Sequence, residues 1–335
     1  MFADLGALMR RREFLAVISS AAAISRQALA ETVAIRTVGL LNSSSAEASR
    51  QYLTAFEDGL AETGFARGRN VRFEYRFADN RLDNLATLAA ELVTGRADVI
   101  FAGGNTPAVQ AAKAATNSIP IVFVMGADPI RTGIVKSFAR PGGNVTGITG
   151  LAGELFSKRL QLLMELVPEA KRIGYLVNFA NPAFTTDALK ANTDAANRLG
   201  LHLVIVNATT REEVDGAFAS LALEKADALL LGAETLFNAL RDEIVALARR
   251  YALPTSYPTR EFAEAGGLSS YSTDYLQVYR QCGIYVGRVL KGEPPGDLPV
   301  QQPTRFELTI NLKSARDIGL QLSPALLARA DMVID

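Results

Sequence analysis

Short runs of β-branched and aliphatic residues alternate with longer stretches that carry apolar residues at helical spacing. The longest strand-like runs have about five to seven residues and end at Gly, Pro or Asn, which is typical of buried strands. Alternating strands and amphipathic helices predict βαβ units and a parallel sheet, so the predicted fold class is α/β. The predicted strands cover residues 37–41, 71–75, 98–102, 120–124, 172–177, 201–206, 227–231 and 253–257.

The second four predicted strands repeat features of the first four at a nearly constant offset of 129–136 residues. The stretch RTVGLLN at 36–42 parallels RIGYLVN at 172–178, and an Ala-Asp pair opens a strand at both 97–98 and 226–227. Any one match is explained by chance, but several in the same order are not. We therefore expect two doubly wound parallel-sheet lobes of the same design that face each other.

Ligands of open α/β sheets bind outside the carboxyl ends of the strands, where helix N-termini offer free N–H groups. Two lobes that present these edges to each other form a cleft between them. The residue types at these strand ends suit hydrogen bonding to a small polar ligand, although Asn42, Thr106 and Asn178 are equally explained as helix N-caps. The candidates are Asn42, Ser43, Ser44, Asn105, Thr106, Asp128, Asn178, Asn181, Glu234 and Tyr257.

The segment RRREFLAVISSAAAI at 10–24 has the order of an export signal: arginines, an uncharged apolar stretch, and small residues at Ala28 and Ala30. The apolar stretch is too short to span a bilayer, which needs about 20 residues. We predict that residues 1–30 are a signal peptide cleaved after Ala30, leaving a soluble periplasmic protein. The match of RREFL to the twin-arginine signal favours that route. General secretion, a start at Met9 and a buried N-terminal helix stay open alternatives.

Composition excludes several classes of function. The 335 residues suffice for two domains, and 35 Lys+Arg balance 35 Asp+Glu, which does not favour a nucleic-acid or anionic-membrane partner. The single cysteine, Cys282, cannot form an intramolecular disulfide, and the single histidine, His202, cannot build a multi-His metal site. Both lie in patterned segments and are expected to be ordinary helix and strand residues. We expect no catalytic residue, no metal and no cofactor.

Three stretches resemble one family of proteins. They are DPIRTGIVKSFARPGGNVTGITG at 128–150, YPTREFAEAGGLSSYSTD at 257–274 and KGEPPGDLPVQQPTRFELTINLKSARDIGLQLSPALLARAD at 291–331. The family is that of the substrate-binding proteins of ABC importers, in the group whose members include binders of aromatic amino acids such as tryptophan or phenylalanine. This resemblance implies a type I periplasmic-binding-protein-like fold with a hinge and an interlobe cleft.

The resemblance also implies that the chain crosses between the lobes three times. We place the crossings near residues 145, 274 and 296, with the helix after Asp274 returning to the first lobe. The N-terminal lobe is then 31–145 plus 275–295, and the C-terminal lobe is 146–274 plus 296–335. The Pro-rich stretch PPGDLPVQQPT is read as an extended hinge segment that leads into a closing strand, FELTINL at 306–312.

By this resemblance, the expected function is a monomeric periplasmic receptor. It captures a small solute, an amino acid or related carboxylate, by lobe closure and delivers it to the permease and ATPase subunits of an ABC transporter. A carboxylate is expected on Ser43, Ser44 or Thr106, near helix N-termini, and an ammonium group on Asp128 or Glu234. Asp128 is also explained as the start of an Asp-Pro turn.

Tyr257 or Tyr271 is expected to pack on the ligand's side chain, although Tyr271 is also explained as a structural residue. Two other functions stay open. A ligand-sensing protein for a signalling partner would use the same closure. An α/β enzyme is disfavoured because the strand ends lack G-x-G-x-x-G spacing and because Cys282 alone cannot form the two-thiol pair of cofactor-free racemases.

Overall fold

The computed structural model describes residues 35–150, 152–181 and 186–335. The predicted signal peptide and the cleavage point after Ala30 lie outside the described residues. The described elements belong to one compact unit, Arg36–Asp335, which contains a five-stranded sheet and a seven-stranded sheet.

The first lobe is built on a parallel sheet with the strand order β2-β1-β3-β4-β5. Helices connect the strands and cover both faces, so its apolar residues form two clusters, one on each side of the sheet. The strands are β1 Arg36–Asn42, β2 Val71–Phe77, β3 Val99–Gly103, β4 Ile121–Met125 and β5 Val145–Thr149. The helices are α1 Ala46–Glu62, a short 3-10 helix Leu82–Asn84, α2 Leu85–Thr94 and α3 Thr106–Ala115.

The second lobe has the strand order β12-β11-β10-β9-β8-β6-β7. Only β10 and β11 pair antiparallel within this described sheet. The strands are β6 Arg172–Val177, β7 His202–Asn207, β8 Ala228–Leu231, β9 Thr255–Tyr257, β10 Ser269–Thr273, β11 Phe306–Asn311 and β12 Met332–Ile334. The helices are α4 Ala152–Leu166, α5 Thr186–Arg198, α6 Arg211–Leu223, α7 Thr235–Ala239, α8 Arg241–Arg250, α9 Arg260–Glu264, α10 Tyr275–Leu290, a 3-10 helix Pro295–Asp297, α11 Leu312–Asp317 and α12 Pro324–Leu327.

The two sheets share one topology over five strands. The order β7-β6-β8-β9-β10 in the second sheet repeats β2-β1-β3-β4-β5 in the first, and all of these neighbours are parallel. The prediction of two doubly wound α/β lobes is confirmed. The predicted strands did not include β5, β10 or β12, whose sequences are short and rich in Ser, Thr or Gly, or lie at the chain's end.

Two of the crossings lie later in the chain than the expected positions. Strand β5 pairs with β4 through Thr149, so residues 146–149 belong to the first sheet and not to the second lobe. Residues 298–301 also stay with the first lobe, where the Thr146 hydroxyl donates to the Leu298 carbonyl and the Gln301 N–H donates to Gly147. The chain therefore crosses after Thr149, at Asp274 and between Gln301 and Phe306.

Helix α10 follows directly from the second sheet but packs in the first lobe. Asp274 caps it by accepting a hydrogen bond from the Gln277 N–H at 3.1 Å. The helix lies against α1 at very short range, because a Cβ added at Gly59 or Gly283 would collide with backbone of the partner helix. Its apolar face carries the buried Cys282, which is the predicted helix-face role for that residue.

Candidate functional site

A cleft of about 1550 Å³ lies between the lobes, outside the carboxyl ends of the parallel strands. Its first wall is formed by residues that follow β1, β3 and β4, and its second wall by residues from α4, β6 and the loops after β6 and β8. Because both sheets present the same edge to the cleft, the free N–H groups of helices from both lobes converge on it.

The first-lobe wall contains the N-termini of α1 and α3. Ser45 caps α1 by accepting from the Ala48 N–H at 3.2 Å, and Asn105 caps α3 by accepting from the Ala108 N–H at 3.3 Å. The Asn105 amide nitrogen is buried and has no hydrogen-bond partner among the described residues. Helix N-termini favour anions, so this wall suits the negative or electron-rich part of a ligand.

Behind this wall, the ends of β1 and β3 make a tight polar contact. Gly104 has φ +94°, and a Cβ there would meet the side chains of Asn42 and Ser43. The Tyr279 hydroxyl lies close to the Gly104 backbone and the Asn42 side chain. Glycine is therefore required at 104, and the Gly-Gly-Asn sequence before Thr106 brings the α3 N-terminus close to the α1 N-terminus.

A buried carboxyl group dominates one part of the second-lobe wall. Glu234, at the N-cap position of α7, is only 2% exposed and accepts a hydrogen bond from the Asn181 amide at 2.7 Å. None of the ion pairs between described residues includes Glu234. Burial raises the pKa of Glu234 to about 8, although the hydrogen bond from Asn181 opposes this shift.

A buried guanidinium lies in the same wall. Arg159, on α4, is 6% exposed, and its Nη2 donates to the carbonyl oxygens of Leu231 at 2.6 Å and Ser256 at 2.7 Å. Its Nε has no hydrogen-bond partner among the described residues, and no ion pair between them includes Arg159. Burial lowers the pKa of Arg159 to about 10, so the side chain stays positively charged at neutral pH.

Several aromatic side chains also line the cleft. Phe156 and Tyr175 pack together in the second lobe with ring centroids 5.0 Å apart. The ring of Tyr52 packs against those of Tyr275 and Tyr279, with centroid distances of 6.4 and 5.2 Å. These rings supply flat apolar area together with phenolic hydroxyl groups, which suits a ligand with an aromatic or long aliphatic part.

Most, but not all, of the candidate residues predicted from the sequence line this cleft. Those in the lining are Asn42, Ser44, Asn105, Thr106, Asp128, Asn181 and Glu234. Asp128 also has a structural role, because its Oδ1 accepts hydrogen bonds from the Ile130 and Arg131 N–H groups at 2.8 and 3.2 Å.

The other four candidates lie outside the lining. Ser43 is fully buried behind Gly104, and Asn178 forms the turn that presents Asn181, since its Oδ1 accepts from the Ala180 N–H at 2.9 Å. Tyr257 stacks on Phe262 in the core of the second lobe, with ring centroids 4.9 Å apart. Tyr271 on β10 stacks on Phe306 on β11, with ring centroids 5.9 Å apart.

Sequence reasoning missed Arg159 and the aromatic side chains of the cleft. A signal for Arg159 was present: in ELFSKRLQLLMEL it follows Phe156 by three residues and lies on the face that Phe156, Leu160 and Leu163 define as apolar. An arginine within an apolar helix face is rarely buried without a partner. No comparable signal distinguishes Tyr175 from other strand aromatics.

Two wider observations concern the described residues as a whole. Among the described residues there is no group of three His, Cys, Asp or Glu side chains that could hold a metal ion. Within the same part of the chain, every helix is too short or too polar to cross a membrane.

Two α/β lobes of one topology, joined by three crossings around a cleft with buried polar groups, form the type I periplasmic-binding-protein fold. The chain belongs to the family of ABC transporter substrate binding proteins, whose family model matches residues 34–334. It is therefore the solute-binding component of an ABC transporter, a class that is typically extracytoplasmic.

Relatives and solved structures agree with this assignment. The chain is 29% identical over 277 residues to the tyrosine-binding protein of Clostridioides difficile (strain R20291), covering 82% of this chain and 77% of that protein. A conserved domain protein from Vibrio cholerae is 28% identical with a TM-score of 0.82, covering 89% and 99% of the two chains. An ABC domain from Streptococcus pneumonia, solved in complex with L-Trp, is 24% identical with a TM-score of 0.81 over 90% and 100%.

Proposed function

We propose that this receptor captures an amino acid with an aromatic side chain in the interlobe cleft and delivers it to the permease and ATPase subunits of its transporter. The observation that carries the proposal is the buried carboxyl group of Glu234 in the cleft wall, with the Asn181 amide at 2.7 Å and no cation paired to it among the described residues. A ligand that brings a cation to this position gives the carboxylate its missing counter-charge.

The physical argument concerns the protonation of Glu234 before and after binding. Without a ligand, burial favours the neutral acid, as the raised pKa of about 8 reflects. An ammonium group within contact distance reverses that preference, because an opposite charge stabilises the ionised form. An α-amino group is such a cation at neutral pH, whereas sugars and simple carboxylates are not.

The aromatic part of the proposal rests on the rings that line the cleft and on a relative. Phe156 and Tyr175 form a tilted ring pair on the second wall, and Tyr52 and Tyr275 lie on the facing side. Ring pairs of this kind contribute about 0.5–1.5 kcal/mol beyond their buried area. The 29% identical relative is a tyrosine-binding protein, which supports the same ligand class here.

The proposal includes the setting in which the receptor works. The signal peptide is removed after Ala30, and the mature chain acts in the periplasm as a monomer without catalytic activity. The equal numbers of basic and acidic residues suit a protein that diffuses freely and does not adhere to nucleic acid or anionic lipid.

A ligand screen tests the proposed function. The purified protein is melted with L-tyrosine, L-phenylalanine, L-tryptophan, aliphatic amino acids, sugars and nucleosides, and hits are measured by calorimetry. A ligand at a hundredfold excess over its Kd stabilises the protein by about 2.7 kcal/mol, which shifts the melt visibly. Stabilisation by an aromatic amino acid is the expected result; stabilisation only by sugars or nucleosides contradicts the proposal.

Two carboxylate variants then identify the ammonium partner. Glu234→Gln keeps the shape of the side chain and its contact with Asn181 but removes the charge, so amino-acid affinity is expected to fall about 30-fold or more. Asp128→Asn tests the other ammonium partner that the sequence predicts, whose carboxylate already accepts two backbone N–H groups. A larger loss in Asp128→Asn than in Glu234→Gln would assign the ammonium group to Asp128 instead.

A further inference from the structure

We infer that Arg159 is the residue that recognises the ligand's carboxylate, so that the second lobe alone holds both charged groups of the amino acid. This inference rests on the proposed function and deepens it by assigning the second charge. It makes Arg159 a specificity-determining residue for zwitterionic ligands.

The geometry fixes the guanidinium as a ready-made donor. The Nη2 group is held by two backbone carbonyls at the ends of neighbouring strands, those of Leu231 in β8 at 2.6 Å and Ser256 in β9 at 2.7 Å. These two bonds orient the plane of the side chain without neutralising it, because carbonyl groups carry no net charge. The remaining N–H groups, including the unpartnered Nε, are left for another acceptor.

The charge balance of the wall points to an anionic acceptor. Arg159 is more than nine-tenths buried, and the ion pairs between described residues give it no carboxylate. A buried charge without a counter-charge is costly, whereas a guanidinium and a carboxylate form two parallel charge-assisted hydrogen bonds. A monocarboxylate ligand fits this planar fork better than a neutral sugar or an amine.

Strand β8 relates the two charged groups to each other. Arg159 donates to the Leu231 carbonyl at the end of β8, Glu234 follows three residues later, and both line the cleft together with Tyr175. Arg159 and Glu234 are not paired with each other among the described ion pairs. An ammonium and a carboxylate joined through one carbon atom satisfy both side chains at once, and the ligand's side chain is then directed toward the aromatic surface.

The alternative places the carboxylate on the first lobe, at the N-termini of α1 and α3. There the donors are the unpartnered Asn105 amide and backbone N–H groups, which offer partial charges. The first-lobe cations that line the cleft, Arg50 and Arg131, are exposed to solvent, unlike the buried Arg159. The two arrangements differ in which lobe the ligand's charged groups contact first. If Arg159 holds the carboxylate, the ligand binds the second lobe through both charges and the first lobe closes over it afterwards.

A protein–ligand double-mutant cycle tests the inference by calorimetry. The ligands are L-tyrosine and tyramine, which lacks the carboxylate, and the proteins are the wild type, Arg159→Gln and Lys158→Gln. Lys158 precedes Arg159 on α4, is half-buried and lies outside the cleft lining, so it controls for loss of one positive charge. We expect the wild type to bind tyrosine about 100-fold more tightly than tyramine.

In Arg159→Gln the preference for tyrosine should fall to within about threefold, with tyramine affinity unchanged, whereas Lys158→Gln should keep the wild-type preference. Equal losses for both ligands would mean that Arg159 acts only through the fold, and an unchanged preference would place the carboxylate elsewhere. Either result overturns the inference. A wild type that binds both ligands equally also overturns it but leaves the proposed function standing, whereas a wild type that binds neither contradicts the proposed function.

A second variant keeps the test decisive if Arg159→Gln does not fold. Asn105→Ala removes the unpartnered amide of the first-lobe wall together with the N-cap of α3, and leaves α4 intact. The ratio of the two ligand affinities separates recognition of the carboxylate from a general effect of losing the cap. If Arg159 binds the carboxylate, the preference of Asn105→Ala for tyrosine over tyramine stays within about threefold of the wild-type preference. Loss of that preference in Asn105→Ala assigns the carboxylate to the first lobe and overturns the inference.

Discussion

The Tyr52 hydroxyl donates a hydrogen bond to Oε1 of Glu261 at 2.8 Å, and this bond joins the two lobes. Tyr52 lies on α1 of the first lobe, Glu261 lies on α9 of the second lobe, and both border the cleft. The exposed Gln51 amide donates to the same oxygen at 3.0 Å. Burial and the nearby Glu261 carboxylate raise the pKa of Tyr52, so the donor keeps its proton over the physiological range.

Removing this interlobe bond is expected to favour cleft opening. Tyr52→Phe deletes the hydroxyl but keeps the ring against Tyr275 and Tyr279, so the change is confined to the contact with Glu261. Hydrogen bonds to charged groups contribute about 1.5–3 kcal/mol, and partial exposure reduces this one to about 1 kcal/mol. We expect ligand release, measured by stopped-flow fluorescence, to become about fivefold faster. Equal release rates in Tyr52→Phe and wild type would show that the bond does not hold the lobes closed.

Glu234 predicts a pH dependence of the ligand-free protein. Its pKa is about 8 in the folded chain against an ordinary value of 4.5, so the folded state binds more protons than the unfolded state between these values. The contribution of Glu234 to the free energy of unfolding therefore falls as the pH rises from about 4.5 to about 8, by at most about 1.4 kcal/mol per pH unit. Urea unfolding at pH 5.5, 6.5 and 7.5 measures this slope, and in Glu234→Gln it should be smaller. Identical slopes in the two proteins would contradict the assignment of a raised pKa.

The affinity for an amino acid should change with pH in the opposite direction. An ammonium ligand binds the ionised form of Glu234, so affinity for an aromatic amino acid rises with pH toward about 8. Below that pH each binding event releases close to one proton from Glu234. Calorimetry in two buffers of different ionisation enthalpy measures that release, and binding without proton release at pH 6.5 would argue that the ligand's cation lies elsewhere.

The contact between α1 and α10 predicts a strong effect of one methyl group. Gly283→Ala places a Cβ against the Phe56 carbonyl of α1, where the backbone cannot move away easily. Overpacking of this kind costs about 1–3 kcal/mol, which outweighs the gain of about 1 kcal/mol that alanine gives in a helix. The matched control is Gly216→Ala on the exposed side of α6, where an added Cβ meets no heavy atom of the described residues within 4 Å. Urea unfolding should show the first variant destabilised and the second stabilised; stabilisation of both would mean that the helices separate at little cost.

The fold was accessible from sequence because strand and helix periodicities, and their repetition, depend on local pattern. Strands β1 and β6 are clear because each is a continuous apolar run that ends in Asn. The crossings were harder to place. Residues 145–149 follow the turn PGGN, and only their pairing with β4 shows that they complete the first sheet.

A site residue was predictable where it lies in a loop directly after a strand. It was less predictable where the direction of the side chain decides whether it faces the cleft or the core. Glu234 and Asn105 lie in loops at the sheet edge, so sequence position alone brought them to the cleft. Tyr257 also ends a strand, but its ring turns toward Phe262 in the core. Arg159 reaches the cleft from inside a helix, and its direction depends on how α4 rotates against β8 and β9.

The return of α10 to the first lobe has a consequence for the order in which the protein is made. Residues 152–273 form a contiguous part of the second lobe, whereas the first lobe lacks the partner of α1 until residue 290 has been synthesised. The lobe that begins the chain is thus among the last parts to be completed, and its core depends on contacts between residues more than 200 positions apart. Such long-range contacts slow folding and expose apolar surface during synthesis, so a nascent chain that stops before residue 275 is expected to be a substrate for chaperones.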